Sequence, residues 1–183
     1  MTGRHTLTET ERAARRRLGG MSLDFAAAAA LSHLHRAANA VRNHFEQQVL
    51  RDAGLTWTGF VVLWVIWIWE DIETRHVAAE AGIAKGTLTG VVKTLRTRGL
   101  VERAGHPEDG RLVRLRLTAA GDNLMQTLFP AFNAEETFVL AGLAPERVAH
   151  LTETLGHVVN HLDADGAARR AARAPGGGAG LPA

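Results

Sequence analysis

The chain has 183 residues, 46% of them apolar and 22% charged, which suits one globular domain with flexible ends. It has no cysteine, and that excludes disulfides, thiolate zinc sites, iron–sulfur clusters, a cysteine nucleophile and a thiol redox switch. The formal net charge is only +2, which on average argues against a nucleic-acid partner, but the average conceals a partition. Residues 85–116 carry net +5, between an acidic 21–84 at −3 and an acidic 117–163 at −5; the ends, 1–20 and 164–183, carry +3 and +2. One basic window in an acidic core marks a localised anion-binding surface.

Residues 1–20 form a basic extension without the apolar core of a signal peptide. Thr8 with Glu11 is a capping-box pattern that predicts a short helix over 9–18, ended by Gly19-Gly20. Ser22 opens a long helical segment, 22–53, in which Leu31, Leu34, Ala38, Val41, Phe45 and Val49 make one stripe. About 30 residues span roughly 45 Å, too long for one small core, so part of the stripe is expected to pack on another subunit. Thr56 caps a helix over 57–69 that holds all four tryptophans; it is apolar all round and is expected to be buried on all sides. Its longest apolar run, Phe60 to Trp69, is 10 residues, too short to cross a bilayer. The chain therefore reads as soluble and cytoplasmic, with no membrane partner.

Glu70-Asp71-Ile72-Glu73 is an acidic break. A short helix over 74–81, a turn at Gly82 and a second helix over 85–98, closed by Gly99, make a helix-turn-helix. Leu100 to Arg103 reads as a strand, 105–110 as a turn-rich loop, and Val113-Arg114-Leu115-Arg116-Leu117 as a strand with one wet face. Helix, turn, helix, strand, loop, strand is a winged helix. Thr118 caps a helix over 119–141 with a kink expected at Pro130, and Pro145 starts the last helix, to about Leu162. Residues 164–183 are Ala, Arg, Gly and Pro with almost nothing to bury, and read as a disordered tail. The fold class is mainly α with a small β-hairpin wing.

"GIAKGTLTGVVKTLRTRGLVER" at 82–103 and "HPEDGRLVRLRLTAAG" at 106–121 resemble the turn, recognition helix and wing of MarR-family transcriptional regulators, including the wing's Asp109–Arg111 pair. The resemblance covers 22–163. It implies a winged-helix DNA-binding part at 57–117 and a helical dimerisation part at 22–53 and 119–163. The chain departs from the family at Ala84, where a capping Ser, Asp or Thr is common, and in its N-terminal basic helix. "LTWTGFVVLWVIWIW" with "ETRHVAAEAGIAKGTLTG" is similar to the actinobacterial subgroup typified by TamR, which implies a tricarboxylate effector such as citrate or aconitate.

A recognition helix needs small or polar residues where its backbone approaches base edges, and Lys85, Gly86, Thr87, Thr89 and Gly90 meet that need. Lys93, Arg96 and Arg98 suit phosphates. Arg111 would enter the minor groove, held by Asp109. A homodimer would set two such helices in successive major grooves, roughly 10 base pairs apart on a pseudo-palindromic double-stranded DNA operator, with repression as the family default. The family places its effector between the dimer helices and the winged helix. For a small carboxylate or aromatic acid the candidates are Arg42, His44, Trp57, Trp64, Arg75 and His76. His33 and His44 share one helical face, as do His150, His157 and His161, so pH is a second conceivable signal.

No Gly-rich phosphate loop, G-x-S-x-G or metal motif is present, so neither an enzyme nor a cofactor or metal is expected. The Glu70-Asp71-Glu73/His76 group reads as helix-end charge. The contrasting reading is a dimeric ligand-binding or interaction protein whose winged helix does not bind DNA; the basic window argues against it.

Overall fold

A computed structural model describes residues 5–105 and 113–172. The chain divides into two compact units, 1–135 and 136–183.

In the first unit, α1 (Leu7–Leu18) is capped by Thr6, whose hydroxyl accepts from the Glu9 amide while the Glu9 carboxylate accepts from the Thr6 amide. The capping box thus lies two residues before the expected Thr8/Glu11 pair. The reason is that Glu11 is engaged elsewhere, 2.5 Å from His33 on the next helix. That helix, α2 (Phe25–Phe45), is capped by Asp24 rather than Ser22. It loosens into a π-helical segment, Glu46–Leu50. Its apolar stripe is buried only at its C-terminal end: Phe45 and Val49 lie in the core, whereas Leu31 is 60% exposed. Over the other half α1 packs along a narrow groove lined by Leu7, Ala14, Phe25 and Ala28.

Thr56 caps α3 (Trp57–Trp69), as its sequence predicts. Phe60, Val62, Leu63, Val65 and Ile66 are buried, but Trp64, Ile68 and Trp69 are exposed. The expectation of burial on all sides therefore fails. The core fills one broad face of α3, and the period-3.6 row Trp57-Val61-Trp64-Ile68 lies along its margin rather than at its centre. The apolar centre is aromatic: the Phe132 ring of α6 (Ala119–Leu140) lies 4.1 Å from Phe60 and 4.2 Å from Phe45. Such close ring pairs add about 1 kcal/mol each to simple burial.

A two-residue strand, β1 (Ile72–Glu73), follows where the sequence suggested only an acidic break. Two residues cannot show a period, so no pattern announced it. Then come α4 (Thr74–Glu80), α5 (Lys85–Thr97), β2 (Val101–Gly105) and β3 (Val113–Leu117). The wing is therefore a three-stranded antiparallel sheet in the order β1-β3-β2, not a bare hairpin. Ile72 pairs with Leu115, and Val101 with Leu117. Thr118 caps α6, and α6 runs through Pro130 to the far side of the unit boundary.

In the second unit, α7 (Pro145–Ala172) extends past the expected end at Leu162. The stretch assigned to a disordered tail is thus helical as far as Ala172. Its alanines and arginines bury little, but they are strong helix formers, and extending an existing helix avoids the cost of nucleation. His161 and Asp165, one turn apart and 3.0 Å from each other, support the extension. No residue of α7 is buried, and Leu151, Leu155, Val159 and Leu162 form an exposed row.

Candidate nucleic-acid interface

Three helical segments, the one that continues α2, then α4 and α5, close in the same way. Gly54, Gly82 and Gly99 sit at φ 63°, 61° and 70°, the left-handed region open to glycine. The following amides reach back to carbonyls five residues earlier: Leu55 to Leu50, Ile83 to Ala78 and Leu100 to Leu95. These are Schellman closures, each ending one helix and aiming the next segment. Gly82 thereby makes the tight turn between α4 and α5, and Gly99 sends the chain from α5 into the sheet.

On α5, Leu88, Val92 and Leu95 are buried and fix the helix to the core. Lys85, Gly86, Thr87, Thr89, Gly90, Lys93 and Arg96 are exposed on its outer side. Side chains added at Gly86 or Gly90 would meet nothing within 4 Å. Each glycine costs an exposed helix about 1 kcal/mol relative to alanine, yet no turn or internal contact requires either one. The room they leave is outside the protein. The hydroxyls of Thr89, Thr94 and Thr97 donate to carbonyls of the preceding turn, which leaves their oxygen lone pairs for external donors. Ala84 provides no side-chain cap, so α5 starts without one, as its residue type implies.

Arg98 does not lie with these groups in the way the sequence suggested. Its guanidinium donates to the Gly54 carbonyl at 2.7 Å and to the Ala53 carbonyl at 2.8 Å. Two of its donors are thus engaged by the protein's own backbone, although the side chain stays exposed. Two other cations of the basic window are also engaged: Arg114 with Asp71 at 3.2 Å and Arg116 with Glu102 at 2.6 Å. The cations presented by α5 are Lys85, Lys93 and Arg96. Asp109 and Arg111, the expected wing pair, lie outside the described residues. The sheet that carries the wing is well tied: Thr74 donates to the Val113 carbonyl at 2.7 Å, and Arg114 to the Asp71 carbonyl at 2.7 Å.

The six expected effector residues fall in different places. His44 is 2.6 Å from Glu135. Trp57 packs with Phe45 and Phe132, and its amide donates to the Glu46 carboxylate at 2.9 Å. Arg42 is exposed, and Trp64 is 38% exposed. Arg75 is 2.9 Å from Glu73. His76 lines a cleft of about 530 Å³ with Trp69, Asp71, Glu73, Glu80 and Arg114. Three carboxylates against one arginine make that cleft a poor receptor for an anion. A second cleft, of about 440 Å³, lies where α2 meets α3, lined by Asn43, Glu46, Gln47, Arg51 and Thr56. Among the described residues, neither cleft gathers more than one of the six. The described residues hold no group of three or more side chains suited to a metal ion.

A protein of Bacillus subtilis, the HTH-type transcriptional regulator YwaE, itself uncharacterized, is 33% identical over 141 residues, which is 77% of this chain and 82% of that protein. The MarR family model matches residues 55–113, from the last residue before the α3 cap to the start of β3. The chain belongs to the MarR family. It is accordingly a DNA-binding transcriptional regulator and not an enzyme. Among solved structures of MarR-type fold, Bordetella bronchiseptica BpsR, described for the regulation of its DNA binding by 6-hydroxynicotinic acid, is 26% identical with a TM-score of 0.64 over 69% of this chain and 95% of that one. A mutant MarR from E. coli complexed with operator DNA is 23% identical, with a TM-score of 0.64 over 68% and 89% of the two chains, and shares the fold. The Leu117-Thr118-Ala119-Ala120-Gly121 stretch that opens α6 acquires a physical reason here. Thr118 bonds the Gly99 carbonyl at 2.6 Å, and Gly121 lies so close to the Leu100 carbonyl that a Cβ would sit 2.1 Å from its oxygen. From the sequence alone, Thr118 reads only as a helix cap. That Thr118 and Gly121 hold α6 against the end of α5 shows only in the tertiary contact.

Proposed function

We propose that the protein is a homodimeric, effector-responsive repressor that reads a pseudo-palindromic operator with α5 in the major groove. The observation that carries this is the outer face of α5. Two glycines with no internal purpose, threonines with outward acceptors and three exposed cations form a surface made for close approach of an anionic duplex. The relative BpsR, whose DNA binding responds to 6-hydroxynicotinic acid, supports an aromatic or carboxylate effector for this chain as well, with citrate or aconitate as the tricarboxylate version. The exposed apolar rows of α2 and α7 support the homodimer. No described helix is long and apolar enough to cross a membrane, which fits a regulator working at DNA in the cytoplasm.

The test is a titration of the intergenic DNA beside its own gene over a range of salt. Binding whose logarithm falls linearly with log salt, and a protected palindrome, are expected. Salt-independent or absent binding would refute the reading. Arg111→Ala should weaken operator binding about tenfold, in line with loss of one charge-assisted groove contact. An unchanged affinity at physiological salt would remove the wing from the interface. Quenching of tryptophan fluorescence by citrate, aconitate or hydroxynicotinate, together with release of DNA, identifies the effector class.

A further inference from the structure

We propose that Arg98 is a positioning residue: it locks the C-terminal end of the recognition helix to the end of α2, so that the setting of α5 follows the dimer helix. This rests on the DNA-reading role proposed for α5. Arg98 is the residue that ends α5, immediately before the left-handed Gly99. Its guanidinium fork spans two consecutive carbonyls, Ala53 and Gly54, at 2.8 and 2.7 Å. Those carbonyls end the segment that continues α2 and are the kind of group that a helix terminus leaves without an internal partner. A cation there also meets the negative end of the helix dipole. One side chain thus ties the last turn of α5 to the end of the segment that follows α2.

The α2 end of this strut is adjustable. The π-helical segment Glu46–Leu50 precedes it, and π segments are irregularities often found at functional sites. The Glu46 carboxylate caps the start of α3 through the Trp57 amide, and Gly54 sits at φ 63°. A change in the setting of α2 reaches the core through Phe45, which packs on Trp57 and Phe132, and reaches the start of α3 through this junction. Arg98 adds a direct route to the last turn of α5. Lysine cannot replace it, because an ammonium is a point charge without the planar fork that bridges two acceptors.

The test compares Arg98→Lys and Arg98→Ala with the wild-type full chain, by amide hydrogen exchange without DNA and by titration of the intergenic duplex at several salt concentrations. Both variants should lose protection together at 51–56 and at 96–100, with α4 and the β2–β3 ladder unchanged. Both should bind DNA about tenfold more weakly, a loss expected for charge-assisted bonds, with the wild-type salt slope. Unchanged protection, or loss spread evenly over the whole chain, overturns the strut. So does a salt slope reduced by about one with binding restored by lysine, which is the signature of a phosphate contact. Failure of the wild type to bind the duplex would refute the functional reading instead, and the exchange comparison would still decide whether Arg98 joins the two helix ends.

Discussion

At Glu9, the amide and hydroxyl of Thr6 both hydrogen-bond the carboxylate, and these bonds hold it below the ordinary value of 4.5. A carboxyl whose folded value is depressed stabilises the helix when ionised, above its unfolded value, and loses that contribution as pH falls through the folded value. The N-terminal end of α1 should therefore fray as pH falls below about 4.5, seen as faster exchange of the Glu9 and Thr10 amides. In Glu9→Gln the same amides should show no such pH step. Gly121 shows a different constraint. Its φ is unexceptional, but a Cβ would lie 2.1 Å from a backbone oxygen that cannot swing away. Gly121→Ala should cost about 3 kcal/mol and lower the melting temperature by roughly 10 °C. Gly82 is the converse case. Its Cβ would meet nothing, yet its φ is 61°. Gly82→Ala should cost only about 1 kcal/mol, the left-handed penalty of an L-residue. The order of these two melting temperatures separates steric from conformational demands on glycine.

At the scale of elements, what could be read depended on whether local chemistry alone decided the outcome. The α3 start at Thr56, the turn at Gly82, the α5 end at Gly99 and the β3 alternation are set by caps, left-handed glycines and period-2 pattern. All four were legible in the sequence. Three of the departures each involved a competing tertiary contact or an invisible cooperativity. The α1 box moved to Thr6 because Glu11 pairs with His33, a residue 22 positions away. The β1 strand exists only because β3 offers it an edge. The extension of α7 to Ala172 uses alanine propensity on a helix already nucleated, which a search for buried apolar residues cannot see. The site followed the same division. The outer residues of α5 were readable from type and spacing, while the diversion of Arg98 to two carbonyls 44 and 45 residues away was not. The expected effector residues were chosen by chemistry, and chemistry alone does not set His44 against Glu135 or His76 among carboxylates.

For the molecule as a whole, the charge partition and the exposed apolar rows argue for the same arrangement. The 85–116 window is the one strongly basic internal stretch, and the acidic 117–163 stretch carries the apolar row of α7. A protein that held its apolar row toward DNA, or its acids beside phosphates, would lose affinity on both counts. An acidic, apolar α7 therefore suits a contact between two copies, as proposed above. In a monomer, Leu155, 36% exposed, would be an ordinary surface residue, and its replacement would change stability by no more than about 0.5 kcal/mol. In a dimer packed through α7 it would be buried, and a carboxylate in its place would be desolvated without a partner. Leu155→Glu should therefore convert a dimeric wild type into a monomer in sedimentation at micromolar concentration. It should also abolish the rise of melting temperature with protein concentration that dimerisation imposes. Operator binding should fall with it, since each half-site alone holds one reading helix. A variant with wild-type mass and stability would exclude α7 from the dimer interface and leave the exposed half of α2 as the surface to test.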